Sequence, residues 1–192
     1  MNILVTLDRN YLPPLRVMLG SLLRNDPAET FDIYTIGDGL LPEDWAGLEA
    51  LCAGRGRIHP VEVPADLFAD APVARYWTRA MYYRLLAAEL LPQSLDRVLY
   101  LDPDILVINS VQPLYEMDLE GNLMAAATHT GLLAGITDPV NRLRLENYEA
   151  EAYYNSGVLL MDLTAMRREV RPADIFDYAR EHADILLLPD QD

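Results

Sequence analysis

Residues 98–106 read Val98-Leu99-Tyr100-Leu101-Asp102-Pro103-Asp104-Ile105-Leu106. An unbroken apolar run ends in two carboxylates that flank a proline. This is the pattern of a buried strand reaching the rim of a sheet. Pro103 lacks a backbone donor and is best tolerated where a strand ends. Alternate strand residues share a face, so Asp102 and Asp104 are expected to converge at an exposed tip. Two hard oxygen donors there suit a divalent cation. The carboxyl ends of strands are also where open α/β sheets bind ligands. A solvated turn explains the same residues. The bare pattern is weak, because a chain this rich in aspartate holds about two Asp-x-Asp pairs by chance. A second pair stands at Asp190 and Asp192.

Strand and helix signals alternate outward from this stretch. Residues 2–7, 31–36 and 57–63 read as strands. Residues 11–24 and 42–53 read as helices between them, the first carrying Leu12, Leu15, Leu19, Leu22 and Leu23 near helical spacing. Pro13 and Pro14 fit its first turn, and Asn25-Asp26-Pro27 stops it. A helix is expected over 76–91, ended by Pro92, and a strand over 97–101. A short extended piece follows at 105–108, then a helical turn at 113–117. Strands at 123–128 and 158–162 and helices at 164–168 and 173–182 complete the pattern. Residues 130–153 are the least regular and read as an insertion over the sheet rim, where substrate contacts often sit. Alternation over the first hundred residues implies an α/β fold with a parallel sheet and helices on both faces.

The 192 residues fit one domain with a substantial core. The net charge of −15 argues against binding nucleic acid or docking on an anionic membrane. A phosphate-bearing small ligand stays compatible if a cation and a few arginines offset the local field. No apolar run approaches the roughly 20 residues of a membrane span. Residues 1–7 read as a first strand and not as a secretory leader, so a cytoplasmic protein is expected. Cys52, the single cysteine, excludes an internal disulfide and a cysteine-rich zinc site. It sits in an apolar helical pattern and reads as a plain buried thiol. All 15 basic side chains are arginine. The absence of lysine removes a Walker A loop and a Schiff-base enzyme.

Three further stretches carry possible chemistry. In Thr6-Leu7-Asp8-Arg9-Asn10-Tyr11, Asp8 or Asn10 can cap the following helix or read a nucleobase edge. In Thr78-Arg79-Ala80-Met81-Tyr82-Tyr83-Arg84-Leu85, Arg84 can clamp a diphosphate bidentately or lie on the surface with its stem packed on tyrosines. In Tyr153-Tyr154-Asn155-Ser156-Gly157-Val158-Leu159, a polar turn enters an apolar strand. Asn155 can bond a ligand hydroxyl there, and Gly157 permits close backbone approach. His59, His129 and His182 lack the spacing of a zinc site and read as structural.

Together and in this order, these stretches and Asp190-Gln191-Asp192 resemble glycosyltransferase family 8, which includes lipopolysaccharide galactosyl- and glucosyltransferases. The resemblance implies a retaining transferase of the GT-A type, with a Rossmann-like mixed sheet flanked by helices on both faces. It implies one nucleotide-sugar-binding catalytic domain over residues 1–192, a UDP-hexose donor, a carbohydrate or glycolipid acceptor, and manganese or magnesium. By the same resemblance Thr6, Asp8 and Asn10 hold the uridine, and Arg84 lies near the donor phosphates and sugar. Asp102 and Asp104 coordinate the metal, and Asp102 also lies close to the ribose. Asn155 lies near the donor sugar, and Asp190 and Gln191 stand beside the reacting carbon.

One departure bears on activity. In the family a histidine in a His-x-x-Gly-x-x-Lys-Pro-Trp type of motif, well after Asp-Gln-Asp, completes the metal shell. This sequence stops first, so a C-terminally truncated domain with weakened metal binding is expected. Two other readings stay open. One is a non-catalytic nucleotide-sugar-binding module. The other is a phosphotransferase with Asp102 as nucleophile, against which the late position of the motif and the missing lysine both count.

Overall fold

A computed structural model describes residues 1–64, 66–68, 82–128, 141, 144–145 and 154–186. Its elements run β1 (Asn2–Asp8), a 3-10 turn (Arg9–Tyr11), α1 (Leu12–Asn25), β2 (Phe31–Asp38), α2 (Pro42–Cys52), β3 (Gly56–Pro60), α3 (Ala87–Leu90) and β4 (Arg97–Leu101). Then come α4 (Gln112–Tyr115), β5 (Met124–Thr128), β6 (Tyr154–Asp162), α5 (Leu163–Glu169) and α6 (Pro172–Glu181).

The six strands form one mixed sheet in the order β3-β2-β1-β4-β6-β5. β3, β2, β1 and β4 are parallel, and β6 runs antiparallel to both β4 and β5. The central strands are mostly apolar because both of their faces are covered. Ile3, Val5, Leu7, Ile33, Leu99 and Leu101 pack under α1 and α2. Leu4, Tyr34, Val98, Tyr100 and Met161 face the other way, toward Tyr82, Leu86, α5 and α6. α1 buries Leu12, Leu15, Met18, Leu19 and Leu22, a single stripe at helical spacing. Each such side chain contributes about 1.5–3 kcal/mol when fully buried. Among the described residues no helix is long and apolar enough to cross a membrane.

Four expectations change. Residues 105–108 join no strand; Val107 instead bonds α1, its N–H to Ser21 Oγ at 3.0 Å and its carbonyl to the Asn25 amide at 2.8 Å. Side chains of α1 thus replace a neighbouring strand. β3 ends at Pro60 and not at residue 63. β6 begins at Tyr154, four residues earlier than the apolar pattern suggests, so Asn155-Ser156-Gly157 lies inside a strand. The β5 register jumps there, from Ala126 opposite Leu159 to Ala127 opposite Asn155. The Asn155 side chain accepts the Gly157 N–H at 2.7 Å, standing in for a ladder bond at this bulge. Of the helix expected over 76–91, the described part is helical at Tyr82–Tyr83 and Ala87–Leu90 with a turn between. The segment 130–153 lies almost wholly outside the described residues.

Candidate functional site: an anchored aspartate at the sheet rim

β1 and β4 are neighbouring parallel strands, so Asp8 and Asp102 reach the same rim. β4 ends at Leu101, and a turn begins at buried Pro103. Tyr100 and Asp102 keep the strand's alternation and point the same way. The Tyr100 hydroxyl donates to Asp102 Oδ1 at 2.6 Å. Asp104 lies beyond the break, exposed. The two carboxylates therefore do not extend one strand face: Asp102 is anchored, and Asp104 stands out in the turn.

Three segments close on Asp102. The Arg84 guanidinium reaches its Oδ1 at 3.2 Å, with side-chain exposures of 12% for Arg84 and 28% for Asp102. Arg84 also donates to the Ser156 carbonyl at 2.9 Å and hydroxyl at 3.2 Å. Its guanidinium carbon sits 4.6 Å from the Tyr100 ring centroid, a cation–π arrangement. The Asp102 N–H donates to the Gly157 carbonyl at 2.8 Å, tying the tip to β6. A Cβ on Gly157 would come within 2.6 Å of Asp102 Oδ2 and 2.9 Å of Asn155 Oδ1. The glycine expected to admit a ligand thus admits the aspartate itself.

Tyr100 is fully buried. Burial pushes its phenol far above the ordinary range, outweighing the opposing charge of Arg84. It therefore stays a donor at any ordinary pH. Its oxygen is also 3.1 Å from Thr6 Oγ1, on β1. The Thr6 side chain, expected against uridine, faces inward, and Thr6 is 6% exposed. Asp8 is exposed and caps the 3-10 turn by accepting the Asn10 N–H at 2.7 Å, while Asn10 is exposed beside it. Asp190 and Gln191 lie outside the described residues.

The hard oxygens of Asp102 and Asp104 fit a magnesium- or manganese-like cation. Among the described residues no third histidine, cysteine or carboxylate joins them in a cluster able to hold a metal. An apolar-walled cavity of about 460 Å³ over β5 and β6 is lined by Leu85, Ala126, Tyr154, Asn155, Ser156 and Leu159 among others. Among the described residues, His59, His182 and Cys52 stand apart from this rim. His59 pairs with Asp32 at 2.7 Å and stacks on Tyr34 at 4.8 Å. His182 stacks on Tyr178 at 4.2 Å. Cys52 is buried, which pushes its thiol up to about 11. His129 lies outside the described residues.

Motif reading passed over Tyr100 and the role of Ser156. The two-residue spacing from Tyr100 to Asp102 on a strand was the available signal.

A model of glycosyl transferase family 8 matches residues 2–192. The chain belongs to this family. The family 8 chain is similar to general stress protein A of Bacillus subtilis strain 168, with 29% identity covering 100% of the chain and 67% of the relative. It is also similar to a lipopolysaccharide 1,2-glucosyltransferase of Escherichia coli strain K12, with 28% identity covering 100% of the chain and 56% of the relative. A crystal structure of galactosyltransferase LgtC with donor and acceptor sugar analogues superposes with a TM-score of 0.84 at 28% identity, covering 100% of this chain and 68% of that one. The fold is accordingly of the GT-A glycosyltransferase type. The chain spans roughly half to two thirds of the length of these curated relatives.

Proposed function

We propose that this chain is the donor-binding part of a cytoplasmic, retaining hexosyltransferase. It moves a hexose from a UDP-sugar to a carbohydrate or glycolipid acceptor, with manganese or magnesium bound. The observation that carries this reading is the anchored Asp102 at the rim of a family 8 sheet, with Asp104 in the adjoining turn.

Asp102 and Asp104 would hold the cation, which supplies positive charge for the diphosphate as it departs. Arg84 adds positive charge at the same rim while keeping Asp102 in place. Asp8 and Asn10, exposed beside β1, would contact the uridine. Asn155, which lines the cavity over β6, would lie near the donor sugar. Asp190 and Gln191 stabilise the oxocarbenium character of the sugar as its bond to the diphosphate breaks.

Calorimetry of UDP binding by the full-length protein, with and without manganese, tests this. The Asp102→Ala variant should lose the metal-dependent part, and unchanged binding would refute the metal assignment. Transfer of labelled hexose then separates an enzyme from a module that binds UDP without turnover. Phosphate release from a generic phosphomonoester would instead support a phosphotransferase.

A further inference from the structure

We propose that Tyr100 is a positioning residue for the cation site, acting with Thr6 as a two-hydroxyl relay that fixes which oxygen of Asp102 meets the cation. The inference rests on the reading above and adds two residues whose work is done below the rim.

The direction of the relay follows from counting protons. The Asp102 carboxylate has none to give, and the Tyr100 phenol has one, so the 2.6 Å contact carries the tyrosine proton toward Oδ1. The phenol oxygen is then an acceptor in its 3.1 Å contact with Thr6, and the Thr6 hydroxyl must donate. The chain Thr6 to Tyr100 to Asp102 therefore runs one way, from the buried side of β1 to the rim end of β4. The Arg84 guanidinium adds an ion pair to the same oxygen at 3.2 Å. Oδ1 is thereby committed to two partners. Oδ2, the oxygen that a Cβ on Gly157 would meet, belongs to neither of these two contacts.

Sequence position supports a built device. Tyr100 is the polar member of an otherwise aliphatic β4 core, where Val98, Leu99 and Leu101 are also buried. A buried phenol needs a hydrogen-bond partner, and a phenylalanine would fill nearly the same space without that cost. Thr6 is likewise a buried hydroxyl on the apolar β1. Each hydroxyl has the next group in the line as its recorded partner.

The test compares Tyr100→Phe, Thr6→Val and Thr6→Ser in the full-length protein. Manganese binding is read by quenching of the free-ion paramagnetic resonance signal. Manganese-dependent UDP binding is read by calorimetry, and melting temperature is recorded in parallel. Tyr100→Phe removes a charge-assisted bond and should raise half-saturating manganese about tenfold. Thr6→Val should raise it about threefold, and Thr6→Ser should leave it unchanged. The double variant Thr6→Val/Tyr100→Phe should be no worse than Tyr100→Phe alone, because one relay is broken once.

A merely structural role would lower the melting temperature while leaving the manganese titration in place, and that result overturns the proposal. So does additivity in the double variant. If Tyr100→Phe does not fold, the Thr6 pair decides: a wild-type titration for Thr6→Val refutes the relay. Wild-type protein that binds UDP with no response to manganese would overturn the donor-site reading and the relay together. A manganese response in wild type with no shift in the variants overturns the relay alone.

Discussion

Two neighbouring strands deliver aspartates to one rim, and the two carboxylates are held in opposite ways. Asp8 is exposed and accepts a backbone N–H two residues along the chain. Asp102 is partly buried and gathers Tyr100 from β4, Arg84 from the turn before α3 and the Gly157 carbonyl from β6. The first contact is local and any short polar side chain can make it. The second exists only once β4, β6 and the Arg84 segment have packed. Reaching the rim therefore does not set a carboxylate apart; distant partners that fix its orientation do.

The sharpest way to break this contrast is at Gly157. A side chain there meets Asp102 Oδ2 at 2.6 Å, so Gly157→Val must push the carboxylate or the strand aside. Overpacking of this kind costs about 1–3 kcal/mol of stability, read by urea denaturation. Metal-dependent UDP binding should fall by about a hundredfold, the scale of a small misplacement at a reacting centre. Unchanged binding would mean that Asp102 tolerates displacement as readily as Asp8 would. Arg84→Met comes next. It removes one member of a partly buried pair, for which about 1–3 kcal/mol is expected, because Asp102 keeps access to water. Arg84→Lys should fall between, since an ammonium keeps the charge and loses the fork.

The same contrast explains what the sequence disclosed. Apolar runs and helical stripes announced β1, β2, β4, α1 and α2, because local burial patterns decide those elements. The cap at Asp8 was readable for the same reason. The early start of β6 was not, because Asn155, Ser156 and Gly157 are poor strand formers, and the bulge relies on the Asn155 side chain. Asp102 could be picked out, but its support could not. Thr6 and Tyr100 are 94 residues apart, and only the pairing of β1 with β4 brings their hydroxyls together. Arg84 was expected either to clamp a diphosphate or to lie on the surface with its stem on tyrosines; its contacts with Asp102 and Ser156, 18 and 72 residues away, exist only in the folded chain.

Smaller effects sharpen the local side of the comparison. Asp8→Ala removes a cap from a three-residue turn and should cost roughly 0.5–1 kcal/mol, recovered by Asp8→Asn. Asp44 combines local and distant partners. The Leu41 N–H, at 3.0 Å, and then Arg9, at 2.8 Å, hold its carboxyl below the ordinary range. A carboxyl depressed by folding stabilises above its ordinary pKa, and that contribution is lost as pH falls through the folded value. Asp44→Asn should therefore lower stability at pH 7 and make progressively less difference below about pH 4. Denaturation curves across that range check it, and a gap that stays constant with pH would discount the charge.

The smallest effect concerns two buried threonines on adjacent strands. Thr6 has its hydroxyl paired with Tyr100, whereas Thr35 Oγ1, fully buried on β2, has no hydrogen-bond partner among the described residues. Valine has the shape of threonine without the hydroxyl, so Thr35→Val opens no cavity and removes an unsatisfied polar atom. Stability should stay level or rise by up to about 1 kcal/mol, with manganese and UDP binding as in wild type. Thr6→Val has the same change of shape and should weaken manganese binding. If Thr35→Val instead loses more than about 1 kcal/mol, its hydroxyl is satisfied in solution by a trapped water. The two threonines would then differ in which partner they have, and a buried hydroxyl on this sheet would by itself say nothing about the rim above it.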